Sequence, residues 1–272
     1  GDFSLRDQAK ILEMAEEISE FKKHNVNNRL LSLRSRLNIN DQQTFLFKKL
    51  SADQGHGTAR WHIGYGEENQ QSFVELAIRP VFHDLLDQPD GFVQGAAISV
   101  MDMRLRWFDE QQDFQLEQLD LFNLISLSPI ERWMTPISAR LNVSVQQQAV
   151  RSMDDATVMH LDSALGLSTG WGESIFYLLA DFSMEYSGWY EKNHKAYLGA
   201  EAGVIFQFDT GRMFLNSQLL NGITGEQDSR DRYQWAYQFD LAKDRAVRLE
   251  YELIKYDGWE NKSLDMKYLY YF

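Results

Sequence analysis

From residue 57 to the C-terminus, hydrophobic and polar residues alternate with a period of two, the repeat of a strand with one apolar and one polar face. Ala59, Trp61, Ile63 and Tyr65 oppose Thr58, Arg60, His62 and Gly64. Tyr233, Trp235, Tyr237, Phe239 and Leu241 oppose Arg232, Gln234, Ala236, Gln238 and Asp240. The pattern predicts twelve strands, near 57–65, 71–79, 93–108, 113–126, 137–147, 156–169, 174–187, 195–208, 211–221, 230–241, 245–256 and 262–272. In the fourth, Leu116 and Leu119 fall out of phase, which predicts a bulge near Glu117-Gln118. The last carries Leu264, Met266, Tyr268, Tyr270 and Phe272 on one face and stops on the aromatic. Residues 4–37 instead read as helical, with Ser4 as a cap and Ile11, Ala15 and Ile18 along one face.

Two architectures fit such alternation. A soluble sandwich or lipocalin-like barrel turns its apolar face inward; a membrane barrel turns it outward and fills its lumen with polar groups. The polar face carries Arg60, Glu75, Arg79, Asp102, Arg104, Arg106, Arg140, His160, Asp162, Glu201, Arg248, Glu250, Glu252, Asp265 and Lys267. Both signs of charge recur at similar strand depth, as an ion-paired lumen requires. The apolar face is rich in aromatics, and most segments match the roughly 9–11 residues that cross an outer membrane. The expected fold is therefore all-β: a twelve-stranded antiparallel transmembrane β-barrel over 57–272, in the bacterial outer membrane, behind a helical periplasmic lead or plug at 1–50. Outer-membrane lipid is its first expected partner, and Tyr268, Tyr270 and Phe272 resemble a barrel insertion signal.

Composition adds exclusions. Among 272 residues there are 17 Phe, 12 Tyr and 7 Trp but only 4 Pro, a balance that favours strands. Mean hydropathy is −0.44, and no apolar run reaches the length of a membrane-crossing helix. The absence of cysteine removes disulfides, thiolate metal sites and a cysteine nucleophile. A net charge of −13 argues against nucleic acid. No cofactor and no metal is expected, and the start at Gly1-Asp2 reads as a mature or excised fragment.

With both ends on the periplasmic side, turns after even-numbered strands face the periplasm. Those at 170–173, 209–210 and 242–244 are tight, and the opposite connections at 187–194 and 222–229 are expected to be longer. Two periplasmic connections, 80–91 and 128–136, break the rule and hold all the prolines: Pro80, Pro89, Pro129 and Pro136. Proline fixes φ, so these loops are expected to be ordered docking surfaces. Their candidate contact residues are Pro80, His83, Asp84, Asp87, Pro89, Pro129, Glu131, Arg132, Trp133 and Pro136.

Gly55-His56-Gly57-Thr58-Ala59-Arg60, Phe73-Val74-Glu75-Leu76, Arg79-Pro80-Val81-Phe82-His83-Asp84-Leu85-Leu86-Asp87, Leu124-Ile125-Ser126-Leu127-Ser128-Pro129 and Glu201-Ala202-Gly203 carry a family likeness. They resemble the C-terminal half of Gram-negative proteins with an Lnb-like N-terminal periplasmic domain, over nearly the whole chain. The resemblance implies an envelope protein. The family's presumed catalytic groups belong to that N-terminal domain, so no catalytic residue carries over.

Two clusters invite chemistry. His83 with Asp84 and Asp87 has the makings of a metal or acid/base group, against a reading as a loop held by aspartate caps. His160 and Asp162 share a strand face that Ser163 does not, so this strand alone assembles no triad. Arg104 and Arg106 with Asp102 are expected to pair with Glu201, Glu250 and Glu252 across the lumen. The leading expectation is an anchor and docking platform for a periplasmic domain at the inner rim. A small-solute channel and a barrel-embedded lipid or acyl hydrolase are the alternatives.

Overall fold

The computed structural model describes residues 11, 55–109, 112–130, 134–150, 154–225 and 228–272. The expected helical lead, apart from Ile11, and the loop residues Glu131, Arg132 and Trp133 lie outside them. The strands are β1 (Arg60–Glu68), β2 (Gln71–Arg79), β3 (Val81–His83), β4 (Ala96–Phe108), β5 (Asp113–Ser126), β6 (Ser138–Val150), β7 (Asp154–Trp171), β8 (Ser174–Tyr186), β9 (His194–Phe208), β10 (Gly211–Thr224), β11 (Ser229–Ala242), β12 (Arg245–Tyr256) and β13 (Trp259–Tyr271).

Each strand pairs antiparallel with its neighbours, and β1 also pairs with β13, Arg60 opposite Tyr271 and Glu68 opposite Ser263. That pairing closes the ring. The short β3 is not an extra stave. β2 and β3 both pair with β4, one after the other, and Pro80 between them interrupts the ladder because it has no N–H. The result is a closed twelve-stranded antiparallel barrel. Met101, on β4 at this interruption, has φ 59°. The bulge expected in the fourth strand is present: Arg104 pairs with Gln118 and Leu105 with Leu116, leaving Glu117 extra.

The barrel is polar inside and apolar outside. Along β1 and β2, Trp61, Ile63, Tyr65, Val74, Leu76 and Ile78 are exposed, while Arg60, His62, Glu75 and Arg79 are buried. Exposed aromatics mark both ends of the wall: Trp171, Phe208 and Phe272 at one rim, Tyr65, Phe114 and Tyr186 at the other. Aliphatic side chains such as Leu76, Leu165 and Leu198 are exposed between them. A soluble barrel would bury this face, whereas a lipid bilayer solvates it and places aromatics at its two interfaces. Tyr268 and Tyr270 lean on Trp61 across the closing seam, with ring centroids 6.2 and 5.7 Å apart.

The connections correct one expectation. At the rim opposite Phe272, residues 69–70 and 257–258 are tight turns, and 187–193 is a longer connection. The longest connections, 84–95 and 127–137, are both at the Phe272 rim. The strands at the opposite rim extend further than their hydrophobic pattern indicates, β10 to Thr224 and β13 back to Trp259, which consumes the polar residues assigned to loops. Polar side chains do not end a strand whose main chain still finds a partner.

A charge placed on the outer wall tests its lipid contact. Leu76→Arg, in mid-strand, is expected to destabilise the barrel by about 2–4 kcal/mol. Guanidinium unfolding of protein refolded into lipid vesicles measures it, and an unchanged midpoint would place that face out of the membrane.

Candidate functional site

The connection 84–95 does not project from the barrel. Leu86 is buried, and its carbonyl accepts a 2.6 Å hydrogen bond from Arg212 Nε on β10. Leu85 packs on an interior apolar cluster of Leu127, Ala164, Ile175, Tyr177, Leu179 and Ile205. Gln94 donates to the Glu173 carbonyl and to Gln207 Oε1. The segment thus reaches from β3 to β10 and to the β7–β8 turn, across the Phe272 mouth.

Two carboxylates latch it to the wall. Asp87 Oδ2 accepts from Arg79 at 2.5 Å, and Oδ1 accepts from the Tyr271 hydroxyl at 2.6 Å and from Arg60 and Arg248 at 3.5 Å. Asp84 Oδ2 accepts from Arg248 at 2.8 Å and Arg60 at 3.2 Å. The loop is also tied to itself, Asp84 N–H to Asp87 Oδ2 and Leu86 N–H to Asp84 Oδ1, an aspartate turn of the expected kind. Burial by itself raises the Asp84 carboxyl, but Arg248, Arg60 and Arg79 outweigh it and hold it well below the usual range. Asp87 is lowered in the same way: burial opposes ionisation, and Arg79, Arg60 and Arg248 prevail although Asp84 adds to the opposition. Their stabilisation is therefore complete above the unfolded carboxyl value of about 3.9 and is lost only as pH falls through the lower folded values.

Above the loop lies a cavity of about 260 Å³. Asp84, Leu85 and Leu86 line it together with Arg60, Asp102, Arg104, Asp120, Glu250 and Lys267. A smaller space of about 70 Å³ lies toward the opposite rim. Arg104, Arg106, Arg232 and Glu252 line both.

The predicted lumen residues all face inward, but they pair locally. Glu75, fully buried, receives Arg106 Nε and His62 Nε2, each at 2.8 Å, and Lys267 at 3.1 Å. Arg106 also reaches Glu68 and Glu117, so the bulged residue has a charge partner. Glu250 binds Lys267 at 2.6 Å and Arg248 at 3.3 Å, which links this group to the latch. Arg140 holds Asp181 and Glu201 at 2.6 and 2.8 Å. Glu252 takes Arg232. Of the group expected to pair with Glu201, Glu250 and Glu252 across the lumen, Arg106 instead meets Glu68, Glu75 and Glu117 and Asp102 meets Arg60, since a side chain reaches its neighbours before it reaches the far wall, while Arg104 lies in the field of Glu75, Asp120, Asp102 and Glu250.

His160 and Asp162 sit in a separate group with Glu185 and Arg230. Asp162 lies 3.7 Å from Arg230, and His160 Nδ1 lies 3.8 Å from Glu185. Arg230 also donates to Glu185 and to Ser183 Oγ. Among the described residues, His160 Nε2 has no hydrogen-bond partner. Asp181, Glu185, Arg212 and Arg230 were not among the predicted residues. The first two share the inward face of β8 with Ile175, Tyr177 and Leu179, and that phase was available in the sequence. The second proline-bounded connection folds back as well: Pro129 bridges Ser168 on β7, and Ser138 Oγ donates to Ser168 Oγ.

A family model described as a domain of unknown function, DUF7840, matches residues 49–271. The chain belongs to the DUF7840 family. The match covers the whole barrel and leaves the Lnb-like resemblance outside what it defines. No curated protein matches the chain. Among solved structures it is similar to the NanC porin, at 9% identity and a TM-score of 0.48, covering 78% of this chain and 99% of that one. It is similar also to the KdgM porin, at 9% identity and 0.41, with the same coverage. An anion-selective porin from Comamonas acidovorans gives 10% and 0.39, over 79% of this chain and 99% of that one. Likenesses this distant carry no argument about what the DUF7840 barrel does.

The latch makes a sharp stability prediction. Asp87→Asn removes the buried charge facing three arginines and is expected to cost about 3–5 kcal/mol. Asp90→Asn, on the same loop, is expected to stay within about 0.5 kcal/mol. Chemical unfolding in detergent micelles compares the two, and equal midpoints would remove Asp87 from its supporting role.

Proposed function

We propose that the chain is an outer-membrane channel for a small charged solute, closed in this conformation by the 84–95 loop, with its Phe272 rim toward the periplasm. The observation that carries this reading is the charged cavity of about 260 Å³ within a lipid-facing barrel, floored by the latched loop. A barrel that served only to anchor would gain by filling this space with apolar side chains, since desolvated charges are a poor source of stability. The volume lies below the roughly 300–1,000 Å³ of pockets that bury a drug-sized ligand. It suits an ion or a compact polar molecule. Opening requires the loop to leave Arg60, Arg79 and Arg248, while the strands stay in register.

A second reading, a platform for an Lnb-like periplasmic domain, has one observation in its favour. Val93, Ile130, Met134 and Ile137 are exposed on the two long connections at the Phe272 rim. His83 and Asp87 are buried and Asp84 is held by arginines, so Val93, Ile130 and Met134 replace them as the contact groups in this reading.

Planar-bilayer recordings test the first reading. The parent protein is expected to show rare, brief openings, and Asp84→Ala combined with Asp87→Ala to show a sustained conductance. A double variant that folds, by its heat-modifiable gel mobility, and stays silent would sink the channel and leave the platform.

A further inference from the structure

His56 stands between two glycines, ahead of β1, and both glycines are needed to put it there. A Cβ at Gly55 would lie 2.2 Å from the Asp90 carbonyl oxygen, and one at Gly57 would lie 2.4 Å from the Phe272 main chain. The backbone is thereby pressed between the latched loop and the end of β13. The His56 ring sits against Tyr271, Phe92 and His83, with centroids 4.5, 4.9 and 5.7 Å away.

His56 is 2% exposed, His83 7% and Asp87 1%. His56 Nδ1 lies 2.6 Å from the Gly57 carbonyl oxygen, so Nδ1 carries the proton and donates. That leaves the lone pair on Nε2, which has no hydrogen-bond partner among the described residues. His83 Nδ1 has none either. A buried polar atom left unpaired is costly, and two such nitrogens on neighbouring rings call for a common partner. One ligand atom from each of His56, His83 and Asp87 lies within 4.8 Å of the other two.

We propose that His56 Nε2, His83 Nδ1 and the Asp87 carboxylate form a binding site for a divalent transition metal of the zinc class. Two neutral imidazoles and a carboxylate suit a borderline cation, not magnesium or calcium, which take oxygen ligands. The Nδ1–H bond from His56 to a backbone carbonyl is the outer-shell contact that orients a ligating imidazole. Bonds of about 2.0–2.2 Å require the three ligand atoms to draw together by about 1 Å, a side-chain adjustment. Nearby charge does not forbid a dication: Arg60, Arg79 and Arg248 are matched by Asp84, Asp87 and Asp102. The bound metal would tie the segment ahead of β1 to the end of β3 and the loop, whether or not the lumen conducts.

The test is isothermal titration of the detergent-folded, chelator-stripped protein with zinc, and with magnesium for comparison. One zinc per chain is expected, with no magnesium uptake. His56→Ala and His83→Ala are each expected to weaken zinc at least about ten-fold, and His194→Ala, at the opposite rim, to leave it unchanged. X-ray absorption at the zinc edge of the loaded parent protein is expected to show two imidazole ligands, a readout that needs no variant to fold. Absence of zinc binding, affinity that survives both alanine variants, or an oxygen-only first shell would each overturn the proposal.

Discussion

A main-chain N–H or C=O that faces hydrocarbon has no water to bond, and leaving it unpaired costs several kcal/mol. The rest of this molecule depends on how that constraint is met. The pairing of β1 with β13 leaves the wall without an edge, so every stave has a neighbour on both sides. Once the ring is closed, the pleat assigns alternate side chains to lipid and to lumen, and the sequence has no further freedom about which face is which. Trp61, Tyr268 and Tyr270 gather on the lipid side of that seam, where the first and last strands meet.

The lumen then inherits an unusual density of charge. Its charges are paired in clusters that tie nearby strands together: Glu75 joins β1, β2, β4 and β13, and Asp181 with Glu201 joins β6, β8, β9 and β10. A fully buried carboxylate with three cationic or donor partners is tolerable, whereas the same carboxylate with one partner removed is not. Such clusters hold register as well as energy, since a one-residue slip would turn these groups into lipid.

The 84–95 loop brings the same logic to the mouth of the barrel. Without Asp84 and Asp87, Arg79 would lose the carboxylates it pairs with, and Arg60 and Arg248 would keep Asp102 and Glu250 alone for balance. The loop is therefore part of the electrostatic completion of the wall. It also closes over a cavity that keeps room for a polar guest, and its inner surface approaches the Gly55-His56-Gly57 turn and the end of β13.

The sequence by itself determined the wall. Period-two alternation identified the staves, with β2, β5 and β12 bounded as the pattern indicates, and the phase break at Leu116 and Leu119 located the bulge at Glu117. It placed Arg60, Glu75, Arg106, Arg140, His160 and Arg248 inward, because the pleat fixes direction locally. It marked 80–91 as an ordered, proline-bounded segment and His83, Asp84 and Asp87 as a cluster. Only the tertiary structure decided that this segment folds into the barrel, since that depends on arginines of β1, β2 and β12 up to 164 positions away. For the same reason it alone decided which acid meets which base, and that His56 stands beside His83. Alternation is a property of neighbouring residues, but pairing across a closed ring is a property of distance in space, which no local period encodes.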